Sequence, residues 1–308
     1  MKIGYRRVAG KVGLTNQENG IRGAWVDKRL ALFRAFQKYG HTVSVLSPLT
    51  DLTAAKGLIG HAEYKPCDIL LLEFGGTNLQ FYGDFWDATV RMIKQHRGEI
   101  IFINDDPDLP FVWHLLPNED WRRWTVAANA AHPKAVREIL KCPAGVRVID
   151  YPMHTGMKPG TYAANHNGQV VYIGRPNGRK KHFTEYAKAD NLVIAGKPDE
   201  WTEYPFSVYP TPQQKDRRRF YKQYAGCLAV YDDKHKMTGW RTGRAYHALY
   251  AGVPVCAPTG NEGLSWTFPA NTAQSEDAFA NMSAEQRQVL WHAQIAAVVH
   301  EPPDITQL

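Results

Sequence analysis

The chain has 308 residues, 44% of them hydrophobic and 22% charged. Such proportions are ordinary for a globular protein and exclude a disordered, collagenous or coiled-coil one. At about 100–200 residues per domain the length suits two domains. With 37 Lys and Arg against 30 Asp and Glu the formal net charge is +7, which permits a polyanionic partner without demanding one.

No apolar run approaches the roughly 20 residues that span a bilayer, so no membrane association is expected. Met1-Lys2-Ile3-Gly4-Tyr5 reads as a first strand rather than a cleavable leader. Cys67, Cys142, Cys227 and Cys256 stand apart without Cys-x-x-Cys spacing. Neither a zinc cluster nor a disulfide framework is indicated, and four free thiols point to a reducing cytoplasm.

In chain order, Lys2–Val8 reads as a strand, followed by a loop rich in Gly and Asn. Val26, Leu30, Leu32, Phe33 and Phe36 recur at three- and four-residue spacings, which predicts a helix over 24–39 closed by Gly40. Strands are expected at 42–46, 68–74 and 99–104, with a helix near 84–96 before the last of them. Further short elements follow at 125–129, 135–140 and 146–149. The stretch 154–168 carries Gly, Asn, His and Ala without hydrophobic periodicity and reads as a linker.

A second series then begins, with strands at 169–173, 191–195, 227–231 and 253–257. Helices are expected near 181–189, 212–224 and 241–250. Ser283 and Gln286 have the spacing of a capping box for a last helix to about residue 299. Continuous apolar strands alternating with helices imply parallel sheets covered on both faces. The fold class expected is therefore α/β, with two doubly wound, Rossmann-like domains binding ligand across a cleft at the carboxyl ends of their strands. The boundaries expected are 1–155 for the first domain, 156–168 for the linker and 169–282 for the second. Residues 283–308 are expected as a helix and tail packing back toward the first domain.

Three segments carry chemistry. In Tyr172-Ile173-Gly174-Arg175-Pro176-Asn177-Gly178-Arg179 a strand runs into a Gly-punctuated loop beside a basic cluster. Backbone N–H groups at a helix start with Arg175 and Arg179 nearby suit a phosphate or diphosphate. A solvated basic turn is the competing reading, and the segment lacks the Gly-Lys-Ser/Thr of a P-loop. In the second segment, 238–257, Arg244 and His247 lie three residues apart on one helix face ahead of Ala251-Gly252-Val253-Pro254-Val255. The third is the strand end Asn104-Asp105-Asp106-Pro107-Asp108-Leu109-Pro110-Phe111, open to reading as a capped turn, a metal-binding Asp-x-Asp or a catalytic carboxylate. Cations beside aromatics occur at Trp121-Arg122-Arg123-Trp124 and along Lys215–Lys222, the latter also readable as a solvated helix face.

Taken together, the late helix with Arg244 and the Ala-Gly-Val-Pro-Val run resembles the nucleotide-sugar segment of GT-B glycosyltransferases. The stretch 100–111, with Phe81-Tyr82-Gly83 upstream and 172–179 downstream, resembles the phage DNA β-glucosyltransferase family. That resemblance implies Asp106 as catalytic base and Gly174, Arg175, Arg179, Arg244 and His247 as contacts to the nucleotide sugar. It also implies Phe81 and Tyr82 on the acceptor side, where Arg22 in the Gly-rich loop after the first strand and Trp121, Arg122 and Arg123 just beyond the Asp106 loop are candidates by their own residue types and positions. Where that family carries a glutamate that holds the ribose, this chain has His247.

The donor implied is a nucleotide diphosphate sugar, UDP-glucose above others, with a divalent cation (Mg or Mn) as an optional helper. The acceptor implied is the hydroxymethyl group of a modified pyrimidine in double-stranded DNA, in the cytoplasm of an infected host cell, with inversion at the sugar. A GT-B enzyme with a saccharide or small-molecule acceptor, and a non-catalytic nucleotide-sugar or DNA-binding module, are the alternatives.

Overall fold

The computed structural model describes residues 1–7, 23–46, 59–60, 63–73, 83–104, 113–152, 159–176, 178–179, 183, 191–212, 216–256, 281–298 and 301–307. The chain divides into two compact units, Met1–Glu18 with Trp25–Met153 and Glu301–Leu308, and Asn19–Ala24 with His154–His300.

The first unit holds seven strands: β1 Lys2–Arg7, β2 Thr42–Val45, β3 Ile59–Gly60, β4 Ile69–Glu73, β5 Glu99–Asn104, β6 Trp124–Ala128 and β7 Arg147–Asp150. Their order is β3-β2-β1-β4-β5-β6-β7, and every pairing is parallel. Helices α1 (Gly23–Lys38), α2 (Gly83–Gln95) and α3 (Pro133–Ile139) connect them. The sequence Ile69-Leu70-Leu71-Leu72-Glu73 is buried along its whole length, the signature of a central strand covered on both faces. Leu32, Phe33 and Phe36 of α1 pack on Ile3, Tyr5, Val43, Leu71 and Ile101. This is the amphipathic stripe that the spacing predicts, turned onto the sheet.

The second unit has β8 (Val170–Ile173), β9 (Leu192–Gly196), β10 (Val208–Pro210), β11 (Gly226–Leu228) and β12 (Val255–Cys256). These form a parallel sheet in the order β10-β9-β8-β11-β12. Its helices are α4 (Arg217–Tyr221), α5 (Asp233–Thr238), α6 (Gly243–Tyr250) and α7 (Ala284–Ala296). In both sheets the strand order reverses beside the first strand, between β1 and β4 and between β8 and β11, where α/β sheets open a crevice for ligands.

Several elements differ from the sequence expectation. The short edge strands β3 and β10 and the helix α5 carry too few apolar residues to show a period. The expected helix over 212–224 is a five-residue α4 within the described residues, and most of 181–189 lies outside them. Residues 159–168 do not form a free linker. Gly160 N–H donates to Tyr250 O (3.0 Å), Ala163 N–H to Gly252 O (2.9 Å) and Asn167 N–H to Gln223 O (2.9 Å). This strap passes so close to Gly252 (φ +93°) that a Cβ there would collide with the Thr161 carbonyl, so the Ala-Gly pair that ends α6 is fixed by packing as well as by capping.

The segment after residue 283 is split between the units. Ser283 and Gln286 make the reciprocal capping box, and α7 lies on the second unit, with Trp291 Nε1 donating to Leu249 O at 2.9 Å. Fully buried Gln294 uses its side-chain amide to pair both backbone groups of Val255, accepting from its N–H (2.9 Å) and donating to its C=O (2.7 Å). The tail belongs to the first unit. Tyr151 Oη donates to Pro303 O (2.9 Å), His41 Nε2 meets Asp304 Oδ1 (3.0 Å), and Ile305 is 2% exposed in the core of β1 and α1. Among the described residues no helix is long and apolar enough to cross a membrane.

Gln294→Leu keeps the volume but strands two buried backbone groups of β12, each costing about 1–3 kcal/mol. Urea unfolding should show about 3 kcal/mol of lost stability, whereas an unchanged midpoint would mean that water replaces the amide.

Candidate functional site

At the carboxyl edge of β8 the chain turns at Gly174, whose φ of +146° is rare for any residue with a side chain. The turn is held from three sides. Gly174 N–H donates to Ala195 O (2.9 Å), Trp201 Nε1 donates to Gly174 O (3.2 Å), and Tyr172 Oη donates to Arg175 O (3.0 Å). Arg244, in the first turn of α6, lays its guanidinium over the Tyr172 ring, 4.3 Å from the centroid, a cation–π contact. It also approaches Gly174 so closely that a Cβ there would strike an Nη of Arg244. Only glycine admits the guanidinium at this point.

No carboxylate pairs with Arg244 among the described residues, and its Nε is buried without a hydrogen-bond partner. The neighbouring phenols do not compensate its charge: burial pushes Tyr221 well above its usual value and Tyr231 up to about 12, so both stay neutral. An uncompensated, partly buried cation at a strand-order reversal is a site for an anion.

Arg179 is held differently. Its Nε donates to Val230 O and its Nη2 to Asp232 Oδ2, both at 3.0 Å, with side chains only 12% and 16% exposed. Asp232 is the N-cap of α5, accepting from His235 N–H (2.9 Å) and meeting His235 Nδ1 at 2.5 Å. Burial alone would raise the Asp232 carboxyl. The hydrogen bonds from His235 and the charges of His235 and Arg179 outweigh it and hold the group at about 2. Arg179 thus fastens the turn after β8 to the turn after β11. Arg175 is 56% exposed on its side chain, with Nε 3.4 Å from Glu200 Oε1, and Lys197 Nζ lies 3.9 Å from the same oxygen.

Gly174, Arg175, Arg179 and Arg244 gather at one edge of the second sheet. His247 does not join them on a polar face. It is 2% exposed, because α6 is buried on every side from Ala245 to Tyr250 between the sheet, α4 and α7. Asp232, Glu200, Trp201 and Tyr172 belong to the arrangement and were not singled out by sequence. An Asp three residues before a His and seven before Gly239 was the available signal, an N-cap and an αL C-cap framing a short helix.

Arg22, Phe81, Tyr82 and Asp106 lie outside the described residues. The strand ends that lead to them do not. The carboxyl edge of the first sheet collects buried polar groups, with Arg6 at 1%, Glu73 at 5%, Asn104 at 1% and Asn129 at 0% exposure. Arg6 donates to Leu46 O (2.8 Å) and Thr89 Oγ1 (3.1 Å), and burial together with the nearby charge of Arg91 pushes it down to about 10.

The placement expected for Trp121, Arg122 and Arg123 is corrected. They immediately precede β6, and the register Ile100↔Trp124 to Asn104↔Ala128 sets them at the amino edge of the sheet. Asn104, the last described residue of β5, ends that strand at the opposite edge, about four residues or 13 Å along the strand. Trp121 packs on Trp113 and Trp124, with centroids at 5.5 and 5.7 Å. Arg123 is spent on Glu119, His96 O and Ile93 O, and Arg122 is exposed beside Asp120. The basic run on α4 likewise turns Tyr221 into the core rather than outward to a base, with Tyr221 2% exposed. Among the described residues no three His, Cys, Asp or Glu side chains are placed to hold a metal ion.

No protein-family model matches the chain, and no curated protein matches it by sequence. Solved structures do match. T4 phage β-glucosyltransferase is 12% identical over 96% of this chain and 94% of that one, with a TM-score of 0.71. The fold is GT-B. A Thermobaculum terrenum O-GlcNAc transferase mutant follows at 11% identity over 98% and 64% of the two chains, TM-score 0.58. The E. coli trehalose-6-phosphate structure bound with UDP-2-fluoro glucose is 9% identical over 97% and 95%, TM-score 0.58. The GT-B likeness at these identities establishes architecture, and the chemistry rests on the side chains.

Asp232→Asn tests the clamp. The folded carboxyl at about 2 lies below its ordinary value of 3.8, so its contribution is fully present above pH about 4 and is lost as pH falls toward 2. After allowance for solvent screening we expect the variant to be about 1–2 kcal/mol less stable at pH 7 and equal to the parent near pH 2. A difference independent of pH in urea titrations would remove Asp232 from that role.

Proposed function

We propose that the protein is a glycosyltransferase that moves a sugar, glucose in the first instance, from a nucleotide diphosphate sugar to the hydroxymethyl group of a modified pyrimidine in double-stranded DNA. The observation that carries this reading is Arg244, a cation with no carboxylate partner among the described residues, held against Gly174 at the strand-order reversal of the second sheet. Such a group needs an anion, and a diphosphate leaving group is the anion that the fold's relatives handle. The T4 phage enzyme is described as DNA-modifying and with UDP-glucose as its substrate, and also in complex with UDP and Mn2+.

In this reading Arg244 and Arg175 meet the diphosphate directly. Arg179, tied back by Asp232, holds the Gly174–Gly178 turn in shape so that the cations need not reorganise as charge grows on the leaving oxygen. Asp106 takes the proton from the acceptor hydroxyl, since an alcohol is a poor nucleophile until a carboxylate removes that proton during attack. Displacement opposite the departing diphosphate inverts the anomeric carbon. A divalent ion bound to the diphosphate would add to the charge that the arginines supply. Arg22, Phe81 and Tyr82 remain the acceptor-side residues. Trp121, Arg122 and Arg123 leave that set.

Incubation of hydroxymethylated and unmodified DNA with a panel of nucleotide sugars, read by mass spectrometry of the released nucleosides, tests the reaction. A hexose mass added only to hydroxymethylated DNA is the expected result, and no adduct with any donor would overturn the DNA assignment. Asp106→Asn should lower turnover by about 10²–10⁴-fold while donor affinity, measured by calorimetry, stays the same. Arg244→Ala should do the reverse, weakening nucleotide diphosphate binding by about tenfold or more, the scale of one charge-assisted hydrogen bond. Unchanged affinity would sink the anion site.

A further inference from the structure

Glu200 is left unexplained by the diphosphate site. It ends the short 3₁₀ turn Pro198–Glu200 that follows β9, on the strand next to β8 and beside the exposed Arg175. Its side chain is 21% exposed, and Oε1 faces Arg175 Nε at 3.4 Å and Lys197 Nζ at 3.9 Å. Oε2 is buried and, among the described residues, has no hydrogen-bond partner. A carboxylate accepts along about four lone-pair directions, and a buried acceptor left empty costs free energy. One oxygen of Glu200 is therefore loosely held by two cations, and the other waits for a donor.

The ligand that completes it is not another anion, which the carboxylate would repel. Neutral O–H donors fit, above all the vicinal pair of a ribose, whose two hydroxyls match the two oxygens of one carboxylate. An acidic residue just past the second strand of a β-α-β unit, with a glycine turn after the first, is placed to meet a ribose whose phosphates sit on that turn. Helix α6 offers no substitute, because Gly243–Tyr250 contains no acidic residue and His247 is buried.

We propose that Glu200 accepts the ribose hydroxyls of the nucleotide donor and so sets the preference for a ribonucleotide. The inference rests on the nucleotide-sugar reading of the same edge. Arg175 and Lys197 lie beside the carboxylate and separate its charge from the diphosphate.

Calorimetry with UDP, GDP and ADP, their 2′-deoxy counterparts and inorganic pyrophosphate, on the parent protein and on Glu200→Ala, decides the matter. The parent should bind at least one ribonucleotide about tenfold tighter than its deoxy form, one charge-assisted hydrogen bond. Glu200→Ala should bring the two within about twofold, while pyrophosphate binds as well or better because both cations remain. Should Glu200→Ala lower the melting temperature, the isosteric Glu200→Gln carries the same comparison. Discrimination that persists in both variants, or is missing from the parent, overturns the assignment. So does a loss confined to the nucleotide sugar with the nucleoside diphosphate unaffected, which moves the diol to the hexose. A parent that binds none of the nucleoside diphosphates defeats the nucleotide-sugar reading itself.

Discussion

The Arg179 guanidinium bridging to Val230 O and Asp232 is the contact on which the second unit's ligand edge depends. Where strand order reverses, the chain leaves β8 toward one face of the sheet and β11 toward the other, and the two turns would otherwise diverge. A half-buried ion pair with little exposure holds them together. It does so at a cost in desolvation that is repaid only because every available acceptor is engaged, including the backbone carbonyl and the capped helix start at Asp232. Arg244, at the same edge, meets no carboxylate among the described residues and lies over the Tyr172 ring instead.

The sequence was most readable where burial is one-dimensional. Ile69–Glu73 and Glu99–Asn104 are runs that only a strand covered on both faces explains, and the α1 stripe maps directly onto Ile3, Tyr5 and Val43. Gly174, Arg175, Arg179 and Arg244 stood out because glycines and arginines are spaced around the end of one strand and the start of one helix. Readability failed where orientation depends on a third element. His247 and Arg244 share a helical face on paper, yet α7, more than thirty residues downstream, covers that helix and buries His247. Trp121–Arg123 follow the Asp106 stretch closely in sequence, but one intervening strand pairing puts them at the other end of the sheet. Distance along the chain is a poor guide when the direction of the next strand is not known.

Buried polarity divides the two units as well. In the first, Arg6, Glu73, Asn104 and Asn129 are almost wholly enclosed, and Arg6 donates to Leu46 O and Thr89 Oγ1. In the second, Arg175 and Lys197 are about half exposed, whereas Arg179 and the Nε of Arg244 are buried.

The pairing of Gln294 with Val255 reaches beyond local stability. A five-stranded parallel sheet ends in two open ladders, each able to recruit an extended segment from another molecule. On the β12 side one side-chain amide occupies the donor and acceptor that a sixth strand would need. On the β10 side Pro210 has no N–H to offer. Among the described residues, each outermost ladder thus carries a single-residue obstacle to the edge-on addition of another strand.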